Sequence, residues 1–225
     1  MGREAYVAKR TLAAAVRRWE RALRPWARRR PFPRLHGAAL LVLDMQRCFA
    51  DPEGEAFLPA ARTVLANILA LRDAFRAAGR PVAFTRHAHR PDECRGSMGR
   101  HWAWLIREGT RDADLLRELA PLRTEPVFRK MQYSAFRGTG LPAWLRRQRV
   151  DTLVVTGVMT HLCVETTARE AFVREFDVIV PLDACATSDE TLHLGALRSL
   201  ANGFGVVPPT KELLRRLGGR RRPGA

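Results

Sequence analysis

Apolar positions in this chain come in two rhythms. Short unbroken runs at 39–43, 81–85, 126–129, 152–156 and 177–182 are rich in Val, Leu, Ile and Phe, with a shorter one at 205–207. Runs without polar alternation predict strands covered on both faces. Between them lie stretches of helical period: 60–78, closed by Gly79, then 112–119, 141–148, 162–176, 190–202 and a last helix from Thr210. Strand and helix alternate, which predicts an α/β fold with a parallel sheet covered on both sides. Residues 86–109 read as loop, rich in Arg, Gly and His and carrying Trp102 and Trp104. Ahead of all this, Leu12, Val16, Trp19, Leu23 and Trp26 form a helical stripe among arginines. Such a stripe predicts a helix that docks on the body or on a second subunit, with a membrane-surface helix as the alternative. The run RRRPFP at 28–33 ends it. The chain divides into a basic helical appendage (1–36), one domain (37–214) and a basic tail (215–225).

Composition narrows the function classes. With 225 residues, 46% of them hydrophobic, the chain suits one domain with a large core. No apolar run approaches the roughly 20 residues that span a bilayer, and the first residues lack a secretory apolar core. Cys48, Cys94, Cys163 and Cys185 are widely spaced without a CxxC pair, against zinc fingers or a disulfide framework. A cytoplasmic location is the expectation. The net charge of +16 invites a nucleic-acid reading, but residues 1–37 carry +9 (11 basic, 2 acidic) and 215–225 carry +5. The remaining body holds only +2, so no specific nucleic-acid partner is expected, although the two ends favour polyanions non-specifically. Only Lys9, Lys130 and Lys211 among the 39 basic residues are lysine, which singles out Lys130 inside the body.

Three residues at the carboxyl ends of predicted strands carry candidate chemistry. In VDTLVVTGVMTHLCVETT (150–167) a strand meets Gly157, and Cys163 follows beside the first turn of a helix that Thr160 can cap. Backbone N–H groups and the helix dipole there favour negative charge, so the thiol is expected to ionise more readily than a free one, at about 8.5. Asp44 directly follows the first strand and Lys130 the third. Open α/β sheets build their sites at these strand ends. An ammonium there would hold the thiolate, and the carboxylate would take the thiol proton and pass it to a leaving amine. The N–H groups of Met159 and Cys163 could hold an oxyanion. No GxGxxG or Walker motif is present.

These pieces resemble the isochorismatase-like cysteine hydrolases, in the amidohydrolase branch with N-carbamoylsarcosine amidohydrolase, ureidoacrylate amidohydrolase and nicotinamidase. The resemblance rests on LLVLDMQ at 40–46, the lysine closing 126–130 with YSAF after it, TGVMTHLCVETTAR from 156, and DACAT at 183–187. It implies a three-layer αβα sandwich around a six-stranded parallel, Rossmann-like sheet. It also implies an Asp44–Lys130–Cys163 triad and a cis peptide at Val158–Met159. Members that cleave the vinyl ether of isochorismate carry glycine where this chain has Cys163. The cysteine thus points to hydrolysis of an amide, ureide or carbamoyl C–N bond through a thioester. Members resembling nicotinamidase hold a metal through Asp-x-His and a further His. Here His87-Ala88-His89 replaces that pair with no clear third ligand, so no metal and no other cofactor is expected.

Phe49, His87, Trp102, Trp104, Tyr133 and His161 lie in or near the strand-end loops and are candidates to line a small-molecule pocket. Cys48, Cys94 and Cys185 read as structural. Similar proteins are commonly dimers or tetramers, so a homo-oligomer is expected. Two other functions stay open at this stage: hydrolysis of an isochorismate-type ether, and non-enzymatic binding of polyanions through the basic ends.

Overall fold

The computed structural model describes residues 5–28 and 30–218. Expectations for residues 1–4 and for the arginines of 219–225 lie outside the described residues. Six parallel strands form one sheet: β1 (Ala38–Leu43), β2 (Val82–His87), β3 (Val127–Lys130), β4 (Thr152–Val158), β5 (Asp177–Ile179) and β6 (Cys185–Ala186). The order is β3-β2-β1-β4-β5, with β6 paired to the far end of β4. The central strands β1 and β4 are buried at every position, which is why AALLVL and TLVVTGV show no polar alternation. Their register sets Leu40 beside Val154 and Leu43 beside Gly157. Gly157 takes φ 109°, and a Cβ there would stand 2.0 Å from the Leu43 carbonyl oxygen, so only glycine lets β1 and β4 close at their site end.

Helices flank the sheet. They are α1 (Leu12–Leu23), the short α2 (Arg47–Ala50), α3 (Pro59–Ala77), α4 (Gly96–His101), α5 (Leu141–Arg147), α6 (Glu165–Val173), α7 (Glu190–Gly203) and α8 (Thr210–Gly218). α3 starts with proline in its first turn, where the missing N–H costs nothing, and packs with α8 against the sheet. Before α6 the chain makes a five-residue π-helical turn, Thr160–Val164. None of the helices described is long and apolar enough to cross a membrane.

Several boundaries depart from the sequence expectation. The sixth strand is Cys185–Ala186, whereas 205–207 contributes only a bridge from Val206 to Ile179. Pro208 lacks the N–H that would bond the Val180 carbonyl, so this outer ladder keeps only Val206 N–H to the Val178 carbonyl, Val180 N–H to the Val206 carbonyl and Leu182 N–H to the Pro208 carbonyl. The helix expected over 112–119 is two 3₁₀ turns, Arg111–Ala113 and Arg117–Leu119. The loop at 86–109 contains the end of β2 and all of α4.

The N-terminal stripe does pack. Ala15, Trp19 and Leu23 of α1 are buried in the main core against α7, and the Trp19 indole N–H donates to Glu190 at 2.5 Å. Trp26 departs from the stripe: α1 has ended, and the side chain is 49% exposed.

Candidate active site

The carboxyl ends of β1, β3 and β4 converge. Asp44 leaves β1 in a left-handed conformation, φ 50°, which short polar side chains tolerate best. Its Oδ1 accepts a hydrogen bond from the Thr85 hydroxyl at 2.7 Å. Next along the chain, Gln46 is fully buried: its amide donates to the carbonyls of His87 and Ala113 and accepts from the His87 N–H at 2.7 Å. These bonds lock the exit of β1 to the exit of β2. The segment after β3 is tied to α6 by the Ala135 N–H, which donates to the Thr167 hydroxyl at 3.0 Å.

Lys130, 1% exposed, lies between the other two candidates. Its Nζ is 2.8 Å from Asp44 Oδ2, 3.2 Å from Cys163 Sγ and 2.9 Å from the Gln132 carbonyl oxygen. An ammonium has three N–H donors, and three acceptors surround it. Asp44 Oδ2 meets the Lys130 ammonium as a buried ion pair. The Val158–Met159 peptide is cis, at the position the resemblance implies.

The electrostatics correct one expectation. Cys163 is not an easily ionised thiol: burial and the Asp44 charge outweigh Lys130 and push it up to about 12. The π turn in place of a regular first helical turn, and the desolvation of a side chain only 8% exposed, override the helix-end effect. Burial would lower Lys130, but Asp44 and Cys163 hold it above its ordinary value. The resting site is therefore a neutral thiol beside an ammonium–carboxylate pair. Thr160 does not cap α6 either; its hydroxyl lies 3.0 Å from His193 Nδ1.

Above Cys163 opens a narrow, largely apolar cleft. Phe49, His87, Trp102, Trp104 and Tyr133 line it, as the sequence suggested, together with Asp44, Met159 and Cys163. The Trp102 indole N–H donates to the Tyr133 hydroxyl at 2.9 Å, joining the 86–109 segment to the chain after β3. His161 does not line the cleft; its ring turns away to the Thr187 hydroxyl, 2.7 Å from Nδ1. Sequence reasoning missed Met98 of α4, Leu105 and Ile106 of the following loop and Leu162 of the π turn, apolar residues that only the fold brings to the cleft. It also missed Gln46 and Thr85, although a buried polar residue at a strand end is a readable signal. Of the cysteines read as structural, Cys48 and Cys185 are buried and Cys94 is exposed.

His87 is pulled down to about 3 by burial and by the Lys130 charge, so its ring is a neutral polar wall. His89 stands 5.2 Å from it, ring to ring, and burial lowers it too. Among the described residues no third His, Cys, Asp or Glu joins them in a ligating group, so the donor set is short of the three protein ligands of a catalytic zinc site.

Comparison with known proteins agrees with this arrangement. The Isochorismatase domain profile matches residues 38–212. Nicotinamidase 3 of Arabidopsis thaliana is 39% identical over 198 residues, covering 86% of this chain and 96% of that protein. The ureidoacrylate amidohydrolase of Methylobacterium radiotolerans is 34% identical over 192 residues, 75% of this chain and 74% of its own length. A cysteine hydrolase structure from Pseudomonas syringae pv. phaseolicola superposes with a TM-score of 0.79 at 29% identity, over 84% of this chain and 98% of that one. Sequence profile, relatives and fold agree: the chain belongs to the isochorismatase family.

Proposed function

We propose that this protein is a cysteine amidohydrolase that cleaves the C–N bond of a small, uncharged amide through a thioester, with Asp44, Lys130 and Cys163 as its catalytic residues. The observation that carries this reading is the Lys130 ammonium held between the Asp44 carboxylate and the Cys163 thiol at the floor of an apolar cleft. Relatives named nicotinamidase, ureidoacrylate amidohydrolase and N-carbamoylsarcosine amidase support C–N hydrolysis.

The chemistry follows from the resting state. A thiol held near 12 is a poor nucleophile, so its proton must leave as sulfur attacks. Asp44, the carboxylate of the cluster, takes that proton while Sγ bonds to the amide carbon. Lys130 stabilises the charge developing at sulfur, and the N–H groups of Met159 and Cys163 receive the oxyanion. Asp44 then returns the proton to the leaving nitrogen and the C–N bond breaks. Water attacks the thioester, gives a proton to Asp44 and releases the acid. The sulfur regains its proton as the C–S bond opens.

The cleft also supports a substrate class. Above the catalytic floor its described lining is mainly aromatic and aliphatic and its histidine is neutral; the one ammonium there, Lys130, is already paired with Asp44. A carboxylate-bearing substrate would lose its hydration there without an unpaired counter-charge to meet it. Ureidoacrylate and N-carbamoylsarcosine carry carboxylates; nicotinamide does not. The flat apolar lining therefore favours a neutral, planar amide. Isochorismate carries two carboxylates, and the same argument counts against ether hydrolysis.

The test is ammonia release from paired neutral and carboxylate-bearing amides, with Cys163→Ala alongside. Release from the neutral members, lost in the variant, is the expected result. Undiminished release by Cys163→Ala sinks the mechanism, and a preference for carboxylates sinks the substrate class.

A further inference from the structure

Cys163 sits in the π-helical turn Thr160–Val164, and that turn is anchored from behind by groups the mechanism does not use. The His193 ring, on α7, is fully buried. Its Nε2 lies 3.1 Å from the Leu182 carbonyl oxygen, which can only accept, so Nε2 carries the hydrogen. Nδ1 is then an acceptor, and the Thr160 hydroxyl, 3.0 Å away, donates to it. One tautomer thus fixes the side chain at the head of the nucleophile turn. Burial pulls His193 down to about 4, which keeps this tautomer neutral.

The N-terminal segment closes the arrangement. Trp19 of α1 and Tyr6 cover the His193 ring at centroid distances of 4.7 and 5.7 Å. The Tyr6 hydroxyl accepts from the Thr187 N–H at 3.4 Å, and the Thr187 hydroxyl meets the ring of His161, the second residue of the turn. Both leading side chains of the turn are therefore held by a layer to which residues 6–19 belong.

We propose that His193 is a positioning residue for Cys163, acting through the Thr160 hydroxyl, and that Tyr6 and Trp19 make the N-terminal segment part of the support of the site. This rests on Cys163 being the nucleophile. Neither Thr160 nor His193 lines the cleft, so both act through the turn. A shift of about 1 Å in a reacting group can cost on the order of a hundredfold in rate.

Two readouts test it. The first is alkylation of Cys163 by iodoacetamide, followed by mass spectrometry relative to the exposed Cys94 in the same molecule. The second is kcat and KM on the amide with the highest ammonia release. Thr160→Val keeps the volume and removes the donor; His193→Phe removes both ring bonds. Each is expected to change the Cys163-to-Cys94 ratio at least about threefold and to lower kcat about tenfold or more, with KM within about twofold. Thr160→Ser, which keeps the hydroxyl, and His193→Gln, whose amide can donate to Leu182 and accept from Thr160, are expected within about twofold of the parent. Ratios and kcat within twofold of the parent for both Thr160→Val and His193→Phe overturn the proposal, as does failure of Thr160→Ser to retain parental values. If Thr160→Val does not fold, Thr160→Ala takes its place under the same thresholds. The alkylation ratio reads the geometry of the turn without a substrate. Hydrolysis that survives Cys163→Ala would instead defeat the nucleophile assignment.

Discussion

Lys130 concentrates the energetics of the site. It is 1% exposed and faces a carboxylate, a sulfur and a carbonyl oxygen at 2.8, 3.2 and 2.9 Å. Arginine cannot replace it, because a planar fork does not converge three donors from one atom on three directions, and no space is open around it. Lys130→Arg is expected to lower kcat at least about a hundredfold, within the range of a lost acid–base or charge-stabilising group. A variant with parental kcat would remove Lys130 from the mechanism. Lys130→Met separates charge from shape. It leaves the buried Asp44 carboxylate without a counter-ion, which for such pairs costs about 3–5 kcal/mol. Urea unfolding should show that loss; an unchanged midpoint would mean that the buried pair contributes nothing to stability. The positions of Asp44 and Lys130 were legible because each stands at the carboxyl end of an apolar run, and that of Cys163 because it follows such a run by one turn. The ionisation of Cys163 was not, because the desolvation that decides it comes from residues distant in the chain.

At the scale of elements, α1 is the piece whose role the sequence left open. Its stripe announced a helix with one packing face, but not what it would pack against. In the structure Trp19 is fully buried, donates to Glu190 and touches the His193 ring, so α1 is stapled to α7. Trp19→Ala should cost about 3–5 kcal/mol, as for a large aromatic removed from a core. A loss below about 1 kcal/mol in urea unfolding would return α1 to the status of a detachable arm. The sheet was more legible than the helix contacts, because a strand buried on both faces writes its environment into every residue. The outer edge was less so: 205–207 has the apolar composition of a strand, yet Pro208 removes the next rung and its pairing with β5 stays a bridge. Segment 86–109 showed its aromatics but not that the Trp102–Tyr133 bond would draw them over the cleft.

For the molecule as a whole, buried titratable groups set a pH window. His193 is held down to about 4 and His87 to about 3, while unfolded histidine titrates near 6.5. The folded state binds fewer protons than the unfolded one, so their contribution is fully present above about pH 6.5 and is lost as pH falls toward 4. For His193 alone this amounts to about 3 kcal/mol. The groups facing it are Glu190 on its own helix, Tyr6 from the N-terminal segment and the Leu182 carbonyl after β5. Carboxylates such as Glu93, held at about 2 by Arg129, enter only below about pH 4.5, so the histidine window stands apart. At the other end Cys163 and Cys48 are both raised to about 12 by burial, so the folded state keeps protons that the unfolded chain releases, and stability falls as pH rises from about 9. Lys130, held above its ordinary value, loses its contribution in the same alkaline direction. The +16 net charge steepens the acid side, since each added proton enlarges an existing repulsion. A plateau of unfolding free energy between about pH 6.5 and 9, with losses on both sides, is the expected profile in urea titrations. His193→Gln should flatten the acid limb by about 3 kcal/mol between pH 6.5 and 4 while leaving the alkaline limb in place. An acid limb of parental steepness in that variant would show that His193 is already charged in the folded protein, and the single tautomer that ties it to Thr160 would fall with it.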